Sequence, residues 1–89
     1  MQPKEKIALM DKIIRELEDL QNSQTSVLKK IAQVEADNIN LSNESLSEGL
    51  PAIHEEVDDA IQKISGLLEK FRDSRNEFEK ENPITETVA

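Results

Sequence analysis

In the first half of the chain, apolar residues fall at Met10, Ile13, Leu17, Leu20, Val27, Ile31 and Val34, in steps of three and four. That alternation is the seam of a heptad-repeat helix. The one seam position missing between Leu20 and Val27 is Gln24, inside the wholly polar run Gln21-Asn22-Ser23-Gln24-Thr25-Ser26. The repeat keeps the same phase on both sides of this run. A break between two helices would shift it, so the run predicts a polar layer within one continuous helix. A second apolar stripe, Ile7, Ile14 and Leu28, lies beside the first at multiples of seven, and the apolar face is wider than a two-stranded seam requires.

The second half repeats the theme. Leu46, Leu50, Ile53, Val57, Ala60, Ile64, Leu67, Phe71, Ser74 and Phe78 step by four and three, with Ile61 and Leu68 as the neighbouring stripe and His54 and Arg75 continuing it at either end. Pro51 suits a first helical turn, where its missing N–H costs little. Glu55, Glu56, Asp58 and Asp59 follow, where the helix dipole favours negative charge, and Pro83 stops the helix. Residues 38–51 between the halves are rich in Asn and Ser and hold one of the two glycines. The pattern predicts an all-α chain: helix 1 over about 4–38, a loop over 39–49, helix 2 over about 50–81, and a flexible tail over 83–89. Two matched helices with one connection make an antiparallel hairpin.

A fold point at residue 44 or 45 sets Leu17 opposite Phe71, Leu20 opposite Leu68, and Gln24 opposite Ile64 and Ser65, with Gly66 alongside. Gln24, Ser65 and Gly66 are then the polar layer that fixes register, a waist which a further helix could approach closely. One stripe on each helix closes the hairpin. Ile7, Ile14, Leu28, Ile61 and Leu68 are left on a flank as the expected partner-binding surface, each worth roughly 1.5–3 kcal/mol when covered. The expectation is a four-helix bundle or coiled coil completed by a second hairpin, either another copy or a different helical protein.

Composition narrows the function classes. The two Phe are the only aromatics, there is no Cys, and Gly and Pro total five, which disfavours sandwiches, barrels and disulfide scaffolds. A net charge of −8 disfavours binding to nucleic acid or anionic lipid. No apolar run approaches the ~18 residues of a membrane span, and no signal-peptide pattern opens the sequence. The expected place is the cytoplasm, or outside the cell by a route without a cleaved signal.

Candidate chemistry is sparse. His54 is the sole histidine, with no HExxH or Glu-x-x-His spacing. The acidic group Glu55, Glu56, Asp58 and Asp59 lacks the glycine and alternating ligands of a calcium loop. Neither a phosphate loop nor a nucleophile–base spacing is present. The expectation is a non-enzymatic protein with no metal, cofactor or small-molecule substrate. The C-terminal Glu86-Thr87-Val88-Ala89 is only faintly like a peptide captured by its carboxylate.

In length, central connection and matched helices the chain resembles the small helical hairpins of type VII secretion, the Trp-x-Gly family and its toxin-associated relatives. Where that family has Trp-x-Gly in the turn, this chain has Ser47-Glu48-Gly49. Where the family has an aromatic-x-x-x-acid signal, this chain has Phe78-Glu79-Lys80-Glu81-Asn82, with Asn in place of the acid. The resemblance implies a partner of a signal-bearing hairpin or of a toxin's helical leader. A separate reading is a secretion chaperone or adaptor that keeps another protein's apolar helix covered. The alternative is a permanent structural subunit of a multi-subunit coiled-coil complex.

Overall fold

The computed structural model describes residues 1–83 and consists of two long helices and no strand among them: α1, Pro3–Leu41, and α2, Glu44–Glu81. The fold is an all-α helical hairpin. At ~1.5 Å per residue α1 is about 59 Å long. It opens with Pro3 in its first turn and the Glu5 carboxylate accepting the Gln2 N–H at 3.1 Å, which occupies one of the amide donors a helix start leaves free. The polar run at 21–26 lies within α1, which is unbroken. The last six residues, with most of the expected tail and the Glu86–Ala89 end, lie outside the described residues.

The connection is far shorter than the sequence suggests. Residues 39–41 belong to α1 and 44–49 to α2, leaving only Ser42 and Asn43 between them. Ser42 takes the left-handed conformation, φ 56°, and its N–H donates to the Asn38 carbonyl at 2.7 Å. Asn43 caps α2, its side-chain oxygen accepting the Leu46 N–H at 3.1 Å. Asn38 is buried and ties both ends together. Its Oδ1 accepts the Asn43 N–H at 2.8 Å, and its Nδ2 donates to Ser47 Oγ at 2.8 Å. Asn38, Ser42, Asn43 and Ser47, part of the stretch that reads as a loop, are thus local caps and turn ties, the other role for which these side chains are suited. Pro51 is correspondingly an interior residue of α2, not a first-turn one. Its ring removes the bond that the Ser47 carbonyl would otherwise accept.

The early turn shifts the register. Lettering the repeat abcdefg, Ile7 and Met10 are a and d in α1, and Ser47 and Leu50 are a and d in α2. Turning at 42–43 sets each a of one helix level with a d of the other. Ile7 is level with Phe78, Ile14 with Phe71, Leu17 with Leu68, and Leu28 with Val57. The cross-helix bonds Asn38–Ser47, Gln21–Ser65 and Asp11–Arg75 follow this frame. Ile7, Ile31 and Leu68 are the buried apolar residues of the hairpin, all at a or d.

Gly66 is not a point of close approach. It lies on the outer surface of α2, and a Cβ built there meets nothing within 4 Å. Gly66→Ala is therefore expected to stabilise the hairpin by about 0.5–1 kcal/mol, the helix-propensity gain at an open position, measured as a higher urea midpoint with unchanged slope.

Candidate interaction face

The five residues expected on an outer flank are instead part of the hairpin's interior. Ile7 and Leu68 are buried, and Ile14, Leu28 and Ile61 are half-buried. All five sit at a. The d positions, Met10, Leu17 and Ile31 among them, serve the seam as expected. The choice between a and g as its companion falls to a, so the two stripes exchange roles.

The polar residues of the a and d columns explain this choice, because Gln21, Glu35, Asn38, Ser47, His54 and Arg75 each find a partner on the other helix. Gln21 donates from Nε2 to Ser65 Oγ, so Gln21 rather than Gln24 makes the cross-helix bond. Gln24 is half-buried beside it at d. Thr25 returns its hydroxyl to the Gln21 carbonyl at 2.9 Å. His54 Nδ1 lies 3.0 Å from Glu35 Oε1. Arg75 donates from Nε to Asp11 at 2.8 Å and from Nη1 to Glu79 at 2.7 Å. The hydrogen bond to Asp11 is the largest influence on the Arg75 guanidinium, raising its pKa above its already high ordinary value. No buried side-chain N or O among the described residues is without a partner. A seam built on g instead would turn these groups out to water and forgo their bonds between the helices, each worth about 0.5–1.5 kcal/mol.

The two flanks of the hairpin differ sharply. On one, residues following d reach across the groove: Glu18 pairs with Arg72, Asp11 with Arg75, and Ser65 receives Gln21. Because these pairs meet, the e positions of both helices share one side of the hairpin. The g positions therefore share the other. They are Ile13, Leu20, Val27, Val34 and Leu41 in α1, and Leu46, Ile53, Ala60, Leu67 and Ser74 in α2. Nine of the ten are apolar, at strict intervals of seven. Leu20, Val27, Val34, Leu41, Ile53 and Leu67 are 40–67% exposed. Leu9, also exposed, extends the stripe towards the N-terminus.

This continuous apolar face runs the length of the hairpin. Sequence reasoning placed the g column inside because its α1 members contain no polar residue, whereas the a column of α1 holds Gln21 and Glu35. The missed signal was that Gln21 is complementary to Ser65, Glu35 to His54, Asn38 to Ser47 and Asp11 to Arg75, so the polar a residues are not interruptions.

Other candidate chemistry is not assembled. Among the described residues no three His, Asp or Glu side chains are grouped to hold a metal ion. Likewise no described helix is long and apolar enough to cross a membrane. Gly49, which the resemblance to secretion hairpins puts in a turn, is helical without positive φ. Asn82, at the acid position of the export signal, caps α2 by donating from Nδ2 to the Phe78 carbonyl at 3.1 Å. Comparison of the chain with protein-family models, curated proteins and solved structures finds no match.

Proposed function

We propose that the protein is a non-enzymatic interaction module, a helical-hairpin adaptor that pairs side by side with another helical surface through its g face. The observation that carries this is the division of labour between the columns. The polar members of the a column find partners within the hairpin, while six of the nine apolar g residues are left exposed. Exposed contiguous apolar patches of this extent mark interaction surfaces, and heptad spacing specifies a helical partner. A signal-bearing secretion hairpin or a toxin's helical leader is one such partner. A fixed neighbour in a coiled-coil complex is the other, and the two differ in whether the partner exchanges.

The test is the double variant Leu20→Glu, Leu67→Glu, titrated against helical proteins encoded beside the gene. Wild type is expected to bind one of them or a second copy of itself. The variant is expected to lose at least ~100-fold in affinity, since two sites worth roughly 1.5–3 kcal/mol each are replaced by carboxylates. Far-UV circular dichroism should be unchanged, because both side chains are already exposed. Binding that survives the double substitution would sink the assignment of the face.

A further inference from the structure

The charges bordering the g face say what covers it. We infer that the occupant is a second copy of this chain, docked face to face about a two-fold axis parallel to the hairpin's length, giving a four-helix bundle in which α1 of each copy lies against α2 of the other. This rests on the g face being an interaction surface and names its partner.

The outer border of the face is formed by the c positions. In α1 these include Glu16, Ser23 and Lys30, and in α2 Glu56, Lys63 and Lys70. The charged members are exposed and make no ion pair within the hairpin among the described residues. The offset that sets Asp11 against Arg75 and Gln21 against Ser65 also sets Glu16 level with Lys70, and Lys30 level with Glu56. A two-fold along the hairpin axis preserves level while exchanging α1 and α2 across the interface. Glu16 then meets the second copy's Lys70, and Lys30 its Glu56. Symmetry repeats both, giving four opposed pairs and no like-charge contact, since Lys63 meets Ser23.

The other two-fold that brings the faces together runs across them, setting α1 on α1. It pairs Glu16 with Lys30 but places Lys63 on the axis against itself. Like charges directly opposed disfavour that arrangement.

The apolar layers agree. With levels preserved, Leu20 packs with Leu67, Val27 with Ala60 and Val34 with Ile53, so the larger side chain meets a similar or smaller one at each height. A strip from residue 13 to 41, roughly 42 Å long at ~1.5 Å per residue and about two helices wide, offers on the order of 800 Å² per copy. That is the area a standard stable interface takes from each partner.

Light scattering across a dilution series, with helicity followed alongside, tests the arrangement. Wild type is expected at twice the 10.1 kDa chain mass, and Leu67→Glu as a helical monomer. Glu16→Lys is expected to weaken the dimer ~10-fold, since symmetry doubles each new repulsion. Adding Lys70→Glu to it is expected to restore wild-type affinity. A double swap that weakens the dimer further than the single one overturns this axis in favour of the transverse one. A helical wild-type monomer at every concentration overturns self-pairing while leaving the face to a different helical protein. A dimer indifferent to Leu67→Glu overturns both the pairing and the face.

Discussion

Truncating Leu68 to Ala is expected to lower the unfolding free energy of the hairpin by about 2–4 kcal/mol, the usual cost of emptying a buried leucine site. Leu68 is 4% exposed, the most enclosed apolar side chain described, while its neighbour Leu67 is 55% exposed. Leu67→Ala is expected to cost less than about 1 kcal/mol in the isolated hairpin, most of it lost surface contact. The comparison should be made by urea denaturation at a concentration where only monomer is present. Adjacent leucines of the same helix differ in intrinsic propensity not at all, so the contrast reads burial alone. The order is decisive: if Leu67 proved the costlier, the g column would be the interior and the a column the outer flank. For the same reason Leu68→Glu is expected to open the hairpin, not merely to abolish partner binding.

Asn38→Ala is expected to remove about 1–3 kcal/mol, a large effect for a side chain at the end of a helix. The physical reason is that the Asn38 amide is 7% exposed and its two ends serve different groups. Oδ1 holds the Asn43 N–H at 2.8 Å, and Nδ2 reaches Ser47 Oγ at 2.8 Å and the Asn43 carbonyl at 3.3 Å. Alanine leaves an amide donor facing a methyl group, which carries the desolvation cost of an unmade bond. Hydrogen exchange of the Asn43 amide gives the direct readout and should accelerate in the variant. Asn38→Asp keeps the acceptor and loses the donor, so it should protect that amide while still lowering stability. An unchanged urea midpoint in Asn38→Ala would show that the turn is held by backbone geometry alone.

The helical content and hairpin topology were legible because both halves carry an uninterrupted repeat, and an insertion anywhere would have shown as a change of phase. The turn was not, although its signal was present. Leu46 and Leu50 already continue the repeat of α2 upstream of Pro51, and they mark the helix as starting earlier than the proline. The cluster of Asn and Ser residues outweighed them, since the same side chains suit a loop and a cap equally. The turn lies two residues earlier than expected, and the pairing slides by three to four residues, so that Leu17 is level with Leu68 and not Phe71. The moved turn gives the bond to Ser65 to Gln21 instead of Gln24, and Gly66 faces outward.

Which apolar column lies inside was beyond a single helix's pattern. Both columns in α1 repeat every seven residues, and the g column is the more apolar. Only the pairing of α1 with α2 separates them, because Gln21, Glu35 and Arg75 become acceptable inside once Ser65, His54 and Asp11 stand opposite. Burial of a polar group is a property of two segments together, which a pattern read along one cannot supply.

The polar layer at Gln21, Gln24 and Ser65 also divides the molecule in time. Towards the turn, the apolar seam of Leu28, Ile31, Val57 and Ile61 is anchored by the Asn38 network. Towards the termini, Ile7, Ile14, Leu68, Phe71 and Phe78 are joined by Glu18–Arg72, Asp11–Arg75 and the Lys6 ammonium 4.7 Å from the centre of the Phe78 ring. Those links are charged, and Glu18–Arg72 is open to solvent, so they weaken as salt rises, and the layer between has little apolar area to carry cooperativity across. The free arms should therefore part and rejoin many times for each complete unfolding, like tweezers hinged at residues 42–43. Amide protection should fall off from the turn towards the termini, and more steeply in high salt.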